Sequence, residues 1–105
     1  MAPRIRPFDF AHLDRQTMGD RALEEEVLTL FIHQAGSIAE QIRQAHRRER
    51  LRLAHSLKGA ARGVGAFAIA DCLAELEQRP DDASLVERLQ RLVDQAAEFV
   101  ASVTR

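Results

Sequence analysis

Apolar residues in this chain recur at spacings of three and four, the period of a helix face, and no segment alternates with period two. Leu23, Val27, Leu30, Phe31, Ile38, Ile42 and Ala45 mark a long helix. Asp20 is placed to cap it, and Glu24, Glu25 and Glu26 sit near the positive end of its dipole. Gly36 falls inside this run, at a cost of about 1 kcal/mol relative to alanine, and is a candidate bend. A turn is expected near His46 to Arg48, although no Gly or Pro marks it. Without one the helix would run for roughly forty residues, long for a small domain. Leu53, Leu57, Ala60 and Val64 form the next stripe, which Gly63-Val64-Gly65 should end. A further helix is predicted from about Ala66 to Gln78, burying Phe67, Ile69, Leu73 and Leu76. Pro80-Asp81-Asp82 reads as a turn. Ser84 with Glu87 then resembles a capping box, with Asp81 or Asp82 as the alternative cap. The last stripe is Leu85, Leu89, Leu92, Val93, Ala96, Phe99, Val100 and Val103.

Upstream, Phe8 to Gln16 reads as a short helix capped by Asp9, with Phe8, His12 and Leu13 available to pack. Residues 1–7 hold two prolines and two arginines and read as an extended arm. Four amphipathic helices with short connections predict an all-α fold, an antiparallel four-helix bundle with a short additional N-terminal helix, as one domain over residues 8–105.

Composition narrows the class. Of 105 residues, 46% are hydrophobic and 30% charged, as in a folded soluble domain rather than a disordered chain. There is no apolar run long enough for a membrane span and no signal-peptide pattern, so a cytoplasmic protein is expected. The single Cys72 has no internal disulfide partner and reads as a small buried hydrophobe. Net charge is −1, but its distribution is uneven. Arg43, Arg47, Arg48, Arg50, Arg52, Lys58 and Arg62 face Glu49 alone, between two acidic flanks. Such a run is ordinarily a solvated face; here it also contains a candidate site.

With His55 at 0° and about 100° per residue, Leu53 falls at about 160°, Leu57 at about −160°, Ala60 at about 140° and Val64 at about 180°. His55 is thus predicted to point at solvent, opposite the core stripe. Lys58 falls at about −60°, Gly59 at about 40°, Arg62 at about −20° and Arg52 at about 60°. Lys58 is a movable point charge and Arg62 a planar fork, both suited to phosphate oxygens. Gly59 is costly inside a helix, and its missing side chain leaves one flank of the ring open. An imidazole in water titrates near about 6.5 and is mostly neutral at pH 7, so it can act as a nucleophile. These residues by themselves specify a nucleophile or an anion site.

The run Ala54-His55-Ser56-Leu57-Lys58-Gly59-Ala60-Ala61, with Gly63 and Gly65 after it, resembles the signature of histidine-containing phosphotransfer (HPt) domains. The helix order, Gly19-Asp20 and the downstream Leu76-Glu77 are similar too. Alanines at 60 and 61, where many members carry Ser, and Arg62, where a polar uncharged residue is common, depart from the pattern. The Gly-Asp linker between the second and third helices is also missing. The resemblance implies a phosphorelay intermediate. His55 would accept a phosphoryl group through Nε2 from the aspartyl phosphate of a response-regulator receiver domain and pass it to another. The family's lysine and glycine map onto Lys58 and Gly59. No cofactor is implied here, since the Mg²⁺ belongs to the receiver. The implied partners are receiver domains and a hybrid histidine kinase. The family's docking patch suggests Phe10, Leu13, Met18, Leu23 and Leu51, with Arg52 beside them. No Gly-rich ATP loop is present, so the chain is not expected to act as a kinase by itself, and a monomer is expected.

Other classes have weaker support. A catalytically idle interaction module would use the basic face of the third helix. Nucleic-acid binding is disfavoured by the net charge, the lack of Tyr and Trp, and the absence of a helix-turn-helix pattern. Metal binding is disfavoured because no pair among His12, His33, His46 and His55 has i,i+4 spacing.

Overall fold

The fold comes from a computed structural model that describes residues 7–104. The arm expected over residues 1–7 lies, apart from Pro7, outside the described residues. Five helices follow in order: α1 (Phe10–Thr17), α2 (Arg21–Gln44), α3 (Arg47–Gly63), α4 (Phe67–Gln78) and α5 (Ala83–Val103). Helices α2 to α5 pack in a ring, α2 on α3, α3 on α4, α4 on α5 and α5 back on α2, and α1 lies against α2. The all-α bundle read from the stripes is the fold observed. Among the described residues no helix is long and apolar enough to cross a membrane.

The helix ends follow local chemistry. Asp9 and Asp20 cap α1 and α2 by accepting from the amides of His12 and Leu23. Asp82, rather than the Ser84–Glu87 box, caps α5. Its carboxylate accepts from the amides of Ser84 and Leu85, and the Ser84 hydroxyl donates to the same oxygen at 2.6 Å. Ser84 thus supports the cap instead of forming it, and its hydroxyl holds the Asp82 carboxyl below the usual range.

The turn between α2 and α3 is Ala45-His46, slightly ahead of its expected place. It needs no glycine because a side chain does the capping. Arg50 donates from Nε to the Ile42 carbonyl at 2.9 Å, from Nη1 to Pro80 at 2.7 Å and from Nη2 to Arg43 at 3.4 Å. The guanidinium thereby adds a second donor to the Ile42 carbonyl, which also accepts from the Ala45 amide at 3.3 Å, and ties the end of α2 to Pro80. Beyond α3, Gly65 has φ +78° and touches the N-terminal segment. The Asp9 amide donates to its carbonyl at 2.9 Å, and a β-carbon there would lie 3.0 Å from the Asp9 carbonyl oxygen. Glycine is required here both for the left-handed turn and for the close approach.

The core departs from the predicted stripes in phase. On α2 the buried residues are Leu28, Phe31, Ala35, Ala39 and Ile42, while Leu30 is 68% exposed and Leu23 is exposed too. Ala35 and Ala39 are on the buried face of α2, and Leu30 lies off it. On α3 the buried set is Leu53, Ala54, Leu57 and Ala61, with Ala60 and Val64 only partly covered. Phe67, expected in the core, is exposed at the start of α4, its ring edge-on to His12 at 5.4 Å. Phe8 is buried instead, edge-on to Phe31 at 6.1 Å. Cys72 is a free, buried thiol whose pKa burial pushes up.

Candidate functional site

His55 lies in mid-α3 with its side chain 75% exposed, as the wheel predicts. The observed buried set shifts the core direction to about −145° on that wheel. The shift matters for the neighbours. Gly59 lies almost directly opposite the core, and Lys58 is turned toward the seam with α4. Its side chain is only 17% exposed.

At that seam stands Glu77 of α4, to which the sequence reading assigned no chemistry. Its Oε2 lies 3.2 Å from His55 Nδ1, and its Oε1 lies 2.5 Å from Lys58 Nζ. One carboxylate thus bridges the imidazole and the ammonium. Burial alone would push the Glu77 carboxyl up, but hydrogen bonding and charge from Lys58 and His55 outweigh it and hold the group below the usual range. An ionised carboxylate only accepts hydrogen bonds. Nδ1 is therefore the nitrogen that donates, and in the neutral ring the lone pair lies on Nε2. This is the arrangement a nitrogen nucleophile needs, with a second group fixing the tautomer from behind.

The remaining predicted cations behave differently from one another. Arg52 is bound to Glu49 one turn back, with Nε 3.0 Å from Oε2 and a second, shorter contact from Nη2 to Oε1. That pairing lowers the Glu49 pKa and raises that of Arg52. Arg62 is exposed, and its guanidinium has no ion-pair or hydrogen-bond partner among the described residues. A β-carbon at Gly59 would meet nothing within 4 Å, so the flank of His55 is open.

The predicted docking residues do not form a uniform set. Met18 is 92% exposed and, unusually for a non-glycine residue, has φ 53° at the end of α1. Leu23 is exposed and Leu51 half-buried. Phe10 is half-buried against the rings of Phe8 and Phe99, at 6.5 and 5.6 Å. Leu13 must be removed from the set. It is 1% exposed, because the inward face of α1 drives it into the core, where no partner can reach it. His12 ties α1 to the site helix, its Nε2 donating to the Gly63 carbonyl at 3.2 Å. Among the described residues no three His, Cys, Asp or Glu side chains gather as a metal site would require.

Glu77 is marked in the sequence only through the Leu76-Glu77 resemblance, with no role at the site. Its neighbours Leu73 and Leu76 are buried, which places it at the edge of the core face, but that does not reveal which helix it meets. No curated protein and no solved structure matches the chain. A family model described as Hpt domain matches residues 26–99, a span that includes His55, Lys58, Gly59 and Glu77 and all of the four-helix ring but the start of α2 and the end of α5. With an exposed histidine on the third helix, backed by a carboxylate from the fourth, the chain belongs to the Hpt domain family, whose members transfer phosphoryl groups through a histidine in phosphorelays.

Proposed function

We propose that His55 accepts a phosphoryl group from the aspartyl phosphate of a response-regulator receiver domain and hands it to another receiver. The observation that carries this reading is the contact between Glu77 and Nδ1, which leaves the Nε2 lone pair facing solvent. In the accepting step a bond forms from Nε2 to phosphorus as the bond from phosphorus to the aspartyl oxygen breaks. The aspartate leaves with the electron pair. The phosphorylated ring carries positive charge while Nδ1 keeps its proton, and the Glu77 carboxylate beside it stabilises that charge. The reverse step regenerates neutral imidazole on a second receiver.

Lys58 shares Glu77 with His55 and so lies within a side-chain swing of the ring. Its ammonium is suited to exchange from Glu77 to a phosphoryl oxygen as the group arrives. Gly59 admits the partner's pocket to the flank of the ring. Phe10, Met18, Leu23, Leu51 and Arg52 supply the docking rim. The divalent cation this chemistry uses belongs to the receiver, and no metal or other cofactor is needed on this chain. The chain acts as a cytoplasmic monomer, loaded from a hybrid histidine kinase by way of its receiver.

The test is direct. The protein is mixed with a phosphorylated receiver, and acid-labile, base-stable phosphate is sought on it. Label on wild type that disappears in His55→Gln supports the reading. Label that persists in His55→Gln, or that never appears with any receiver from the host, sinks it in favour of an idle interaction module.

A further inference from the structure

The basic segment around α3 changes character once its partners are assigned. Arg43 meets Glu40 at 3.9 Å, Arg47 meets Asp81 at 2.7 Å, Arg52 is bound to Glu49 and Lys58 to Glu77. Arg50 is engaged with main-chain carbonyls. That leaves Arg48 and Arg62. Both are exposed, and neither side chain has an ion-pair or hydrogen-bond partner among the described residues.

Their placement is symmetric about the reactive histidine. Arg48 stands seven residues before His55 and Arg62 seven after it. At about 100° and 1.5 Å per residue, they lie about 20° to either side of His55 and about 10 Å from it in opposite directions along the axis. Helical side chains lean toward the N-terminus, so both guanidinium groups shift the same way and their separation of roughly 21 Å is kept. That span fits within one face of a small domain, about 30 Å across.

Nothing in the fold calls for Arg48. It sits in the first turn of α3, at the positive end of the helix dipole, where a cation is disfavoured. Arg62, in the last turn, suits the dipole, but it flanks bare backbone. At both Gly59 and Gly63 a β-carbon would meet nothing within 4 Å. A surface that closes on His55 across those glycines comes against the Arg62 guanidinium and strips its water. Because the aspartyl phosphate must reach Nε2 midway between the two arginines, the domain carrying it lies across both.

We propose that Arg48 and Arg62 are the specificity poles of the docking face. Each pairs with a carboxylate on the rim of the receiver's phosphoaspartate pocket, and the chain selects receivers bearing carboxylates on both sides of that pocket, roughly 20 Å apart. This rests on the relay reading of His55 and moves Arg62 from phosphate ligand to partner contact, since about 10 Å of helix separates it from the ring. Rim charges of this kind set encounter rate and partner choice more than they set chemistry.

The experiment uses the full chain, phosphorylated chemically with phosphoramidate, and purified receiver domains from the host. Transfer rate is measured against receiver concentration, and binding of each unphosphorylated receiver is measured by calorimetric titration. The chains compared are wild type, Arg48→Glu, Arg62→Glu, the double reversal and the two lysine variants, with thermal unfolding as the check on folding. With the tightest-binding receiver, each reversal is expected to weaken binding and second-order transfer by about tenfold. The loss should shrink as salt rises, the rate at saturation should hold, and lysine should restore most of the effect. Changing one receiver rim carboxylate to lysine should rescue the matching reversal. Unchanged binding in both reversals, a loss indifferent to salt, or a fall confined to the saturated rate overturns the proposal. A wild-type chain that binds receivers but takes no phosphate sinks the relay reading alone; one that binds no receiver sinks both.

Discussion

Replacing Gly59 with alanine separates what α3 needs to fold from what His55 needs to react. Gly59 lies inside the helix on its solvent side, and a β-carbon there would meet nothing within 4 Å. Packing within the chain gives no reason for glycine, and helix propensity argues against it by about 1 kcal/mol relative to alanine. Gly59→Ala is therefore expected to stabilise the fold by about 0.5–1 kcal/mol. In a domain of this size, 1 kcal/mol moves the midpoint of thermal unfolding by about 4–8 °C. Transfer should move the other way. Gly59 is one turn beyond His55 and about 40° round the helix, so a methyl group stands on the partner's line of approach. A displacement of about 1 Å between reacting groups costs on the order of a hundredfold in rate. Gly36 supplies the control. It too lies inside a helix with nothing within 4 Å of a β-carbon, but on α2. Gly36→Ala should give a similar gain in midpoint and leave transfer untouched. The assay is thermal unfolding by circular dichroism, paired with transfer kinetics from a phosphorylated receiver. A Gly59→Ala protein that is more stable and transfers normally would refute the access argument. One that is destabilised would refute the claim that glycine is a cost to α3.

Three other perturbations test the rest of the site and its frame. Glu77→Ala should release Nδ1, so that nitrogen-detected NMR of His55 shows the Nε2-protonated tautomer appearing and transfer slows by about tenfold or more; an unchanged tautomer would remove Glu77 from its positioning role. Because Lys58 and His55 hold the Glu77 pKa below the ordinary 4.5, its ion pair contributes stability that is fully present above about that pH. That contribution is lost as the pH falls through the lower folded-state value, so Glu77→Gln should flatten the acid limb of the wild-type stability curve; a curve of unchanged shape would contradict the pairing. Arg50→Ala should cost about 1.5–3 kcal/mol in urea unfolding, since it removes charge-assisted bonds to the carbonyls of Ile42, Arg43 and Pro80, with Arg50→Lys recovering only part; a loss under about 0.5 kcal/mol, ordinary for a surface change, would show that water serves these carbonyls equally well.

Much of the molecule was legible along the chain because the signals are local. A period of 3.6 residues needs only a few turns of sequence to declare itself, so the helices and the outward aim of His55 followed from spacing. Asp9 and Asp20 were legible as caps for the same reason, since a cap bonds an amide three residues away. The Ser84–Glu87 box gave way to its alternative because Asp82, two residues earlier, starts the helix sooner by capping the amides of Ser84 and Leu85. Alanine was the recurrent source of error. It is nearly indifferent between core and surface, so spacing could not tell which alanines of α3 join Leu53 and Leu57 in the core: Ala54 and Ala61 do, while Ala60 and Val64 are only partly covered. The same blindness to Ala35 and Ala39 gave Leu30 a place in the core that Leu28 occupies.

Along the chain, then, lay the helix count, the caps and a solvent-facing imidazole beside a glycine, all consequences of short-range geometry. The packed bundle settled the rest. Turning α3 by a few tens of degrees took Lys58 off the open face and set it against Glu77. Pairing α3 with α4 brought that carboxylate to Nδ1 of His55. It also sorted the basic run into cations paired within the chain and the two, Arg48 and Arg62, whose side chains have no partner among the described residues. Such contacts join residues far apart in sequence, and periodicity carries no information about which helix will lie alongside which.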